Sequence, residues 1–387
     1  MMAQTDNSNK LTPYLENQKS DAVGFLRWLV DQESTSGDSV ATTSIAEKLG
    51  ARLKELGADV DIIRHPRAGA SVRARFGALS RSRDAKQLLV LGHLDTVWPA
   101  GTVESRPFRI EDGKAYGPGT FDMKAGLTIA VFAAQALRSL GRATVRPVTF
   151  LFNADEETGS ADSRDLIEEE ARKAHAALVL EPPIPGGKLK TARKGVGIFE
   201  LVAHGRSAHA GNDPRLGVNA ITEMAHQILA VNKLMDHECG TTLSVGVVNG
   251  GVFSNVVPAE ARAQIDFRYR VPEEGERVTK ALSCLAPYLP GAKVEVKGGI
   301  NRQPLVRTPE IGRLFEHAKA LSNELGFDIE EGSVGGASDG NIVAALGVPV
   351  LDGLGVDGSG AHAEHEHIIV DDIPRRAALL TRLLETV

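Results

Sequence analysis

The sequence predicts an α/β fold, a mainly parallel sheet flanked by helices, carrying an inserted α+β sandwich as a second domain. Three observations lead there. Apolar strand-like runs alternate with helical patterns from Gln87 to Leu180, the texture changes near Arg193 to strand, helix, two strands, helix, strand, and the α/β pattern returns after Asn301. The expected boundaries are 1–192 and 302–387 for the two parts of the larger domain and 193–301 for the insertion. A chain of 387 residues has length for more than one core.

In chain order, helical periodicity covers 22–32 and 44–56, and a β-like stretch follows at 59–64. Strands at 87–91, 147–152 and 176–180 then alternate with helices at 126–140 and 163–174, the spacing of a parallel sheet with crossover helices. In the insertion the pattern gives strands at 197–203, 241–248, 261–269 and 293–297, with helices at 217–234 and 274–289. A helix at 309–325 and a Gly-rich turn before 341–346 complete the reading.

Composition excludes several classes of function. The formal charge is −6 and Lys and Arg are interspersed among acidic residues, which disfavours nucleic acid and anionic membrane as partners. The first twenty residues are polar, and no run approaches eighteen uninterrupted apolar residues, so a cytoplasmic protein is expected. Cys239 and Cys284 form no CxxC pair, which fits a reducing compartment and a packing role for both.

Chemistry gathers where strands end. Asp155, Glu156 and Glu157 follow the apolar run Val148 to Phe152, and like charges crowded at the carboxyl end of a sheet repel unless a cation is present. The strand Leu88 to Leu91 ends in Gly92-His93-Leu94-Asp95, where period-two geometry places His93 and Asp95 on one side. Asp95 is therefore expected to accept the second imidazole proton of a ligating His93. A Gly/Pro loop, Gly117-Pro118-Gly119, delivers Asp122 just before an apolar helix, and Glu181 stands between an apolar strand and Pro182-Pro183. One more imidazole is needed, and the loop Gly358 to His367 holds three: His362, His365 and His367. Spacing alone does not rank them.

Together GHLDTV, GPGTFDMKAG, NADEETGS, Glu181 before two prolines, SAHAG followed by LGVNA, and GAHAEHE resemble the motifs of the co-catalytic zinc aminoacylase and carboxypeptidase family. The resemblance runs in order over nearly the whole chain and is nearest to the glutamate-carboxypeptidase members, through AYGPG, DEETGS with SRDLI, and the GAH form of the last motif. It implies two Zn²⁺ per chain, with Co²⁺ or Mn²⁺ as substitutes. His93, Asp122 and Glu181 would bind one ion, and Asp122, Glu157 and His362 the other, with Asp122 bridging. His362 is chosen because the family places its last ligand a few residues before a glutamate, here Glu366; His365 is second choice. Charge closes on this set, since three carboxylates and a hydroxide balance two dications and leave Glu156 to act as general base.

The implied activity is hydrolysis of the amide of an N-acyl amino acid or peptide bearing a free carboxylate, with release of a C-terminal amino acid. Alternatives are a deacetylase, a desuccinylase or a general aminoacylase, and more remotely a non-catalytic binding protein. The resemblance further implies that the insertion serves as a lid and dimerisation domain, and that His209 acts in catalysis from the partner chain of a homodimer. It also implies that Arg268, Asn255 and Arg302 bind the substrate carboxylate. The Gly335 to Asp339 turn could add backbone amides for the same anion, or serve simply as a turn and helix cap.

Overall fold

The computed structural model describes residues 5–77 and 86–387. They divide into two compact units, one holding residues up to Ala192 with Arg307–Val334 and Ser338–Val387, the other holding Arg193–Val306 with Gly335–Ala337.

The first unit is built on a six-stranded sheet. Its order is Asp59–His65, Gly69–Phe76, Val148–Asn153, Gln87–His93, Ala174–Val179, Val350–Leu351. The last four strands run parallel; the first two form an antiparallel hairpin joined to the Val148–Asn153 strand. Val148–Asn153 is buried along its whole length, as expected of a central strand covered on both faces. The helices Lys19–Asp31, Ser39–Glu55, Ala125–Ser139, Pro309–Glu324 and Asp372–Thr386 supply Leu26, Leu29, Ile45, Leu49, Ile129, Phe315 and Leu380 to the same core. Asp38 caps the second of these by accepting from the amides of Val40 and Ala41, so that helix begins five residues before the apolar periodicity does.

Register sets the site. In the parallel ladder His93 lies beside Asn153, and Leu91 beside Val179, so the chain leaves the three strands at one level with His93, the Asp155 to Glu157 turn and Glu181 next to each other. Gly126 permits the helix after the Asp122 loop to lie against the Leu180 carbonyl, because a Cβ there would collide with that oxygen. A smaller four-stranded sheet, ordered Gly358–Ser359, His367–Ile369, Lys114–Tyr116, Arg109–Glu111, holds the His362 loop beside the strand that leads into the Asp122 loop.

The second unit has a four-stranded antiparallel sheet, ordered Thr242–Gly250, Glu260–Tyr269, Gly195–His204, Lys293–Arg302, with the helices Ala220–Asn232 and Pro272–Ser283 packed on it. Its core is Phe199, Leu201, Met224, Ile265, Phe267, Tyr269, Val278 and Leu282. The second helix ends at Ser283 instead of near 289, since Pro287 disfavours helical geometry in the residue before it and cannot donate to the ladder.

The structure adds elements that the sequence reading passed over. The helix Thr5–Asn17 contributes Leu11 and Leu15 to the core, and Asp372–Thr386 contributes Ile373, Ala377, Leu380 and Leu384. In Gly69–Phe76, Arg73 and Arg75 sit opposite Asp61 and Asp59 and pair with them. The expected packing role of the cysteines is corrected: Cys239 and Cys284 are both exposed, one on a turn after a helix and the other at a helix C-terminus. No helix among the described residues is long and apolar enough to cross a membrane.

Candidate metal centre

All six residues assigned to metal binding and base catalysis lie in the first unit. The fully buried His93 closes its strand, and its Nδ1 lies 2.9 Å from the carbonyl oxygen of Asp95. A carbonyl only accepts, so Nδ1 carries a proton, and Nε2 is the nitrogen that faces the carboxylates. Asp122 Oδ1 is 3.2 Å and Glu181 Oε1 3.5 Å from that Nε2.

Asp122 turns its other oxygen elsewhere. Oδ2 is 3.4 Å from His362 Nε2, which in turn lies 3.1 Å from Glu157 Oε2. A single carboxylate thus faces two imidazoles, one per oxygen. Gly119, at φ +73°, turns the loop that presents Asp122, and His362 itself sits at φ +61° in the left-handed region. His365 lies exposed on the same loop, its carbonyl accepting from His367 Nδ1 at 2.8 Å. Ligand-capable atoms of His93, Glu156 and Glu181 lie within 4.8 Å of one another, as do those of His93, Asp122 and Glu157. The first group takes in Glu156 where the sequence reading placed Asp122, so Glu156 stands as close to the cluster as the residues expected to be ligands.

The donor set fits divalent cations. Two imidazoles and four carboxylates converge, and Glu157 Oε1 is buried without a hydrogen-bond partner, a cost that an ion would remove. Electrostatics point the same way. Burial alone would lower the His93 pKa, yet the carboxylates of Asp122, Asp95 and Glu181 beside it hold it well above the ordinary imidazole value. Bonds to Asp122 and then Glu157 push His362 up to about 10 against a smaller opposing effect of burial. Burial would raise Asp122, but His362 and His93 hold it below the usual carboxylate range, whereas burial raises Glu157. The same carboxylates that favour a charged imidazole would favour a cation at these positions.

Asp95 differs from expectation in one respect. The strand ends at His93, extended geometry stops there, and the backbone carbonyl of Asp95 becomes the acceptor for the imidazole while its carboxylate stays 3.5 Å away. That carboxylate accepts instead from the amides of Glu156 and Glu157, at 3.2 and 3.3 Å, and from Ser36 Oγ at 2.7 Å. Asp95 therefore fixes the backbone of the two glutamates. Asp155 braces the same turn from within, accepting from Ser163 Oγ at 2.5 Å and from the amides of Asp162 and Ser163. Sequence reasoning missed Ser36, whose hydroxyl has no motif around it.

This chain carries the pattern of a known family. A model of peptidase family M20/M25/M40 matches residues 89–386. The chain belongs to the M20 peptidase family. It is 33% identical over 382 residues to carboxypeptidase G2 of Pseudomonas sp. (strain RS-16), covering 97% of this chain and 91% of that protein. It is also 27% identical to succinyl-diaminopimelate desuccinylase of Thioalkalivibrio sulfidiphilus, covering 79% and 85% of the two chains. Among solved structures, aminopeptidase PepT from Bacillus cereus has a TM-score of 0.75 at 21% identity, covering 95% of this chain and 98% of that one. The M20 metallo-carboxypeptidase Sso-CP2 from Sulfolobus solfataricus also has a TM-score of 0.75, at 20% identity, with 94% and 98% covered. The M20 protein is a metal-dependent peptide hydrolase that binds divalent metal.

The remaining candidate residues lie in the second unit. His209 is exposed and its Nδ1 accepts from the amides of Gly211 and Asn212, both at 3.1 Å, so the neutral ring carries its proton on Nε2. Asn255 lies on the neighbouring segment, its carbonyl bonded to the amide of Ala210. Arg268 pairs through two nitrogens with Asp266, at 2.7 and 2.8 Å, and Arg302 is buried at the end of its strand. Gly335–Ala337 also belongs to this unit, while Ser338, in the first, caps the helix Asp339–Ala345 with its hydroxyl.

Asp95→Asn should lower activity about 10- to 100-fold at limiting metal, because an amide has one acceptor oxygen for three donors and opposes one of them with its own N–H groups. Assays across a range of added Zn²⁺ check this, and the loss should shrink at saturation.

Proposed function

We propose that this M20 hydrolase is a glutamate-carboxypeptidase-like enzyme that uses two Zn²⁺ per chain and cleaves the amide of an N-acyl amino acid or peptide with a free carboxylate. The observation that carries the proposal is Asp122, whose two oxygens face different histidines as a bridging ligand would. In this reading His93, Asp122 and Glu181 hold one ion, and Asp122, Glu157 and His362 the other. Bound there, the ions would polarise the scissile carbonyl and lower the pKa of water toward ~7.

The chain's own residues do the rest. Glu156 takes a proton from the attacking water on its carboxylate and hands it to the departing nitrogen, work for which its backbone is fixed by Asp95. Arg268, pre-oriented by Asp266, together with Asn255 and Arg302, would hold the substrate carboxylate through charge-assisted bonds. His209 would donate from Nε2 to the oxygen that gains charge. We assign the insertion the role of a lid that excludes water.

A homodimer through the insertion is part of the proposal. The strand Thr242–Gly250 is an edge of its sheet, Val247 and Val248 on it are about half exposed, and Val252 and Phe253 beyond it are 86% and 69% exposed. An apolar edge of this kind is what a second copy would cover.

Substrate class is tested by a hydrolysis screen over N-acyl amino acids, with C-terminal glutamates expected to be cleaved fastest. Faster turnover of N-succinyl or N-acetyl substrates would support the desuccinylase or deacetylase reading, the first of which the Thioalkalivibrio relative favours. Elemental analysis should give two Zn²⁺ per fully loaded chain. Glu156→Gln should keep both ions and lose at least ~10²-fold in turnover, whereas Glu157→Gln should weaken metal binding. Swapped phenotypes would reverse the assignment of the two glutamates.

Action of His209 on the partner chain is tested by mixing inactive Glu156→Ala and His209→Ala chains under subunit exchange. Random exchange should restore roughly a quarter of wild-type activity, since each mixed dimer has one site with both groups intact. Mixed dimers that bind metal and stay inactive would show that His209 does not act in trans.

A further inference from the structure

Glu366 has no part in the chemistry above, yet it is buried as completely as any ligand, at 1% exposure. Each of its oxygens takes two donors. Oε2 accepts from Trp98 Nε1 at 2.7 Å and the Gly119 amide at 2.8 Å; Oε1 accepts from the amides of Phe121 at 2.9 Å and Asp122 at 3.0 Å. The four acceptor sites of a carboxylate are thereby filled. Three of those donors are backbone amides of the loop that presents Asp122, and Glu366 itself follows His362 on its loop. One side chain thus ties the carrier of an imidazole to the carrier of the carboxylate that faces it.

We infer that Glu366 is a positioning residue that holds the Asp122 loop in its metal-binding shape before any ion arrives. The inference rests on the reading of Asp122 as a metal ligand. A carboxylate is required for a reason of counting: four N–H donors converge, and only a group with two acceptor oxygens and no hydrogen satisfies them. Glutamine at this position would keep one oxygen and set its own N–H groups against two of the donors, in either orientation of the amide. A side chain that merely filled space would show no such selectivity.

The test measures Zn²⁺ affinity of the metal-free protein by competition with a chromophoric chelator, beside the melting temperature of the same metal-free samples. Glu366→Gln should raise the dissociation constant about 10- to 100-fold, the usual effect of removing a hydrogen-bond partner behind a ligand. Glu366→Asp, which keeps both oxygens, should recover part of that loss. Trp98→Phe removes one donor outside the loop and should change affinity by no more than about threefold. Amide hydrogen exchange of the wild-type metal-free protein supplies a measurement free of variants, in which Phe121 and Asp122 should be protected.

A folded Glu366→Gln protein that binds Zn²⁺ as wild type does would overturn the inference, and so would rapid exchange at Phe121 and Asp122 in the metal-free protein. Should Glu366→Gln not fold, the exchange measurement and Glu366→Asp decide. Asp122→Asn in the same assay separates the two ideas. If it too binds like wild type, the ligand reading fails; if it loses metal while Glu366→Gln retains it, only the tether fails.

Discussion

Mutual repulsion among Asp122, Glu156, Glu157 and Glu181 is the constraint on which the rest of this centre depends. Ligand-capable atoms of these residues and His93 crowd within a few ångströms at the end of a buried sheet, where like charges interact more strongly than in water. Such an arrangement needs positive charge, and a rigid frame so that the groups do not simply swing apart. The frame comes from the parallel register, which brings three strand ends level, and from carboxylates that grip backbone amides. Asp95 holds the turn of Glu156 and Glu157, Asp155 closes that turn, and Glu366 holds the loop of Asp122.

A second buried polar network stands behind the first. Asp339, at the start of the helix after Ser338, accepts from Ser160 Oγ at 2.5 Å and from Asn153 Nδ2 at 2.8 Å, and Asn153 also donates to Ser163. The base-bearing turn is thus fastened to a segment far along the chain. Buried polar groups of this kind are tolerated because their donors and acceptors are matched, and a matched network specifies one geometry. The left-handed Ser160, at φ +56°, sits inside it.

Much of the fold was legible because the strands that carry the site are also the most apolar runs in the sequence, and because each ends in a residue that a surface loop would not require. The α/β class and the order of elements in the insertion followed from periodicity. The terminal helices were missed: Thr5–Asn17 contains Pro13 and few apolar residues, while Asp372–Thr386 has a clear i, i+4, i+7 pattern in Ile373, Ala377 and Leu380. Gly69–Phe76 carried its signal in arginines alternating with apolar residues. At the site, residue types and strand ends pointed to the cluster, but the division of labour within it did not follow from spacing. Whether Asp95 uses its carbonyl or its carboxylate on His93 depends on a turn of the backbone, and that Glu366 gathers four donors depends on loops brought together in space.

The order of the clustered residues along the chain has a consequence for synthesis. His93 to Glu181 emerge early, but His362 and the Asp372–Thr386 helix, which packs on the core with Ala130 and Leu26, come near the end. Between Glu181 and His362 the ribosome needs roughly 10 to 40 s at ordinary elongation rates. Throughout that interval the nascent chain holds an acidic half-site and an apolar surface without its cover, while the inserted unit has a core of its own to form first. The cluster is therefore completed only after His362 has emerged, and a chain that stops before it lacks both that imidazole and the helix that packs on Ala125–Ser139.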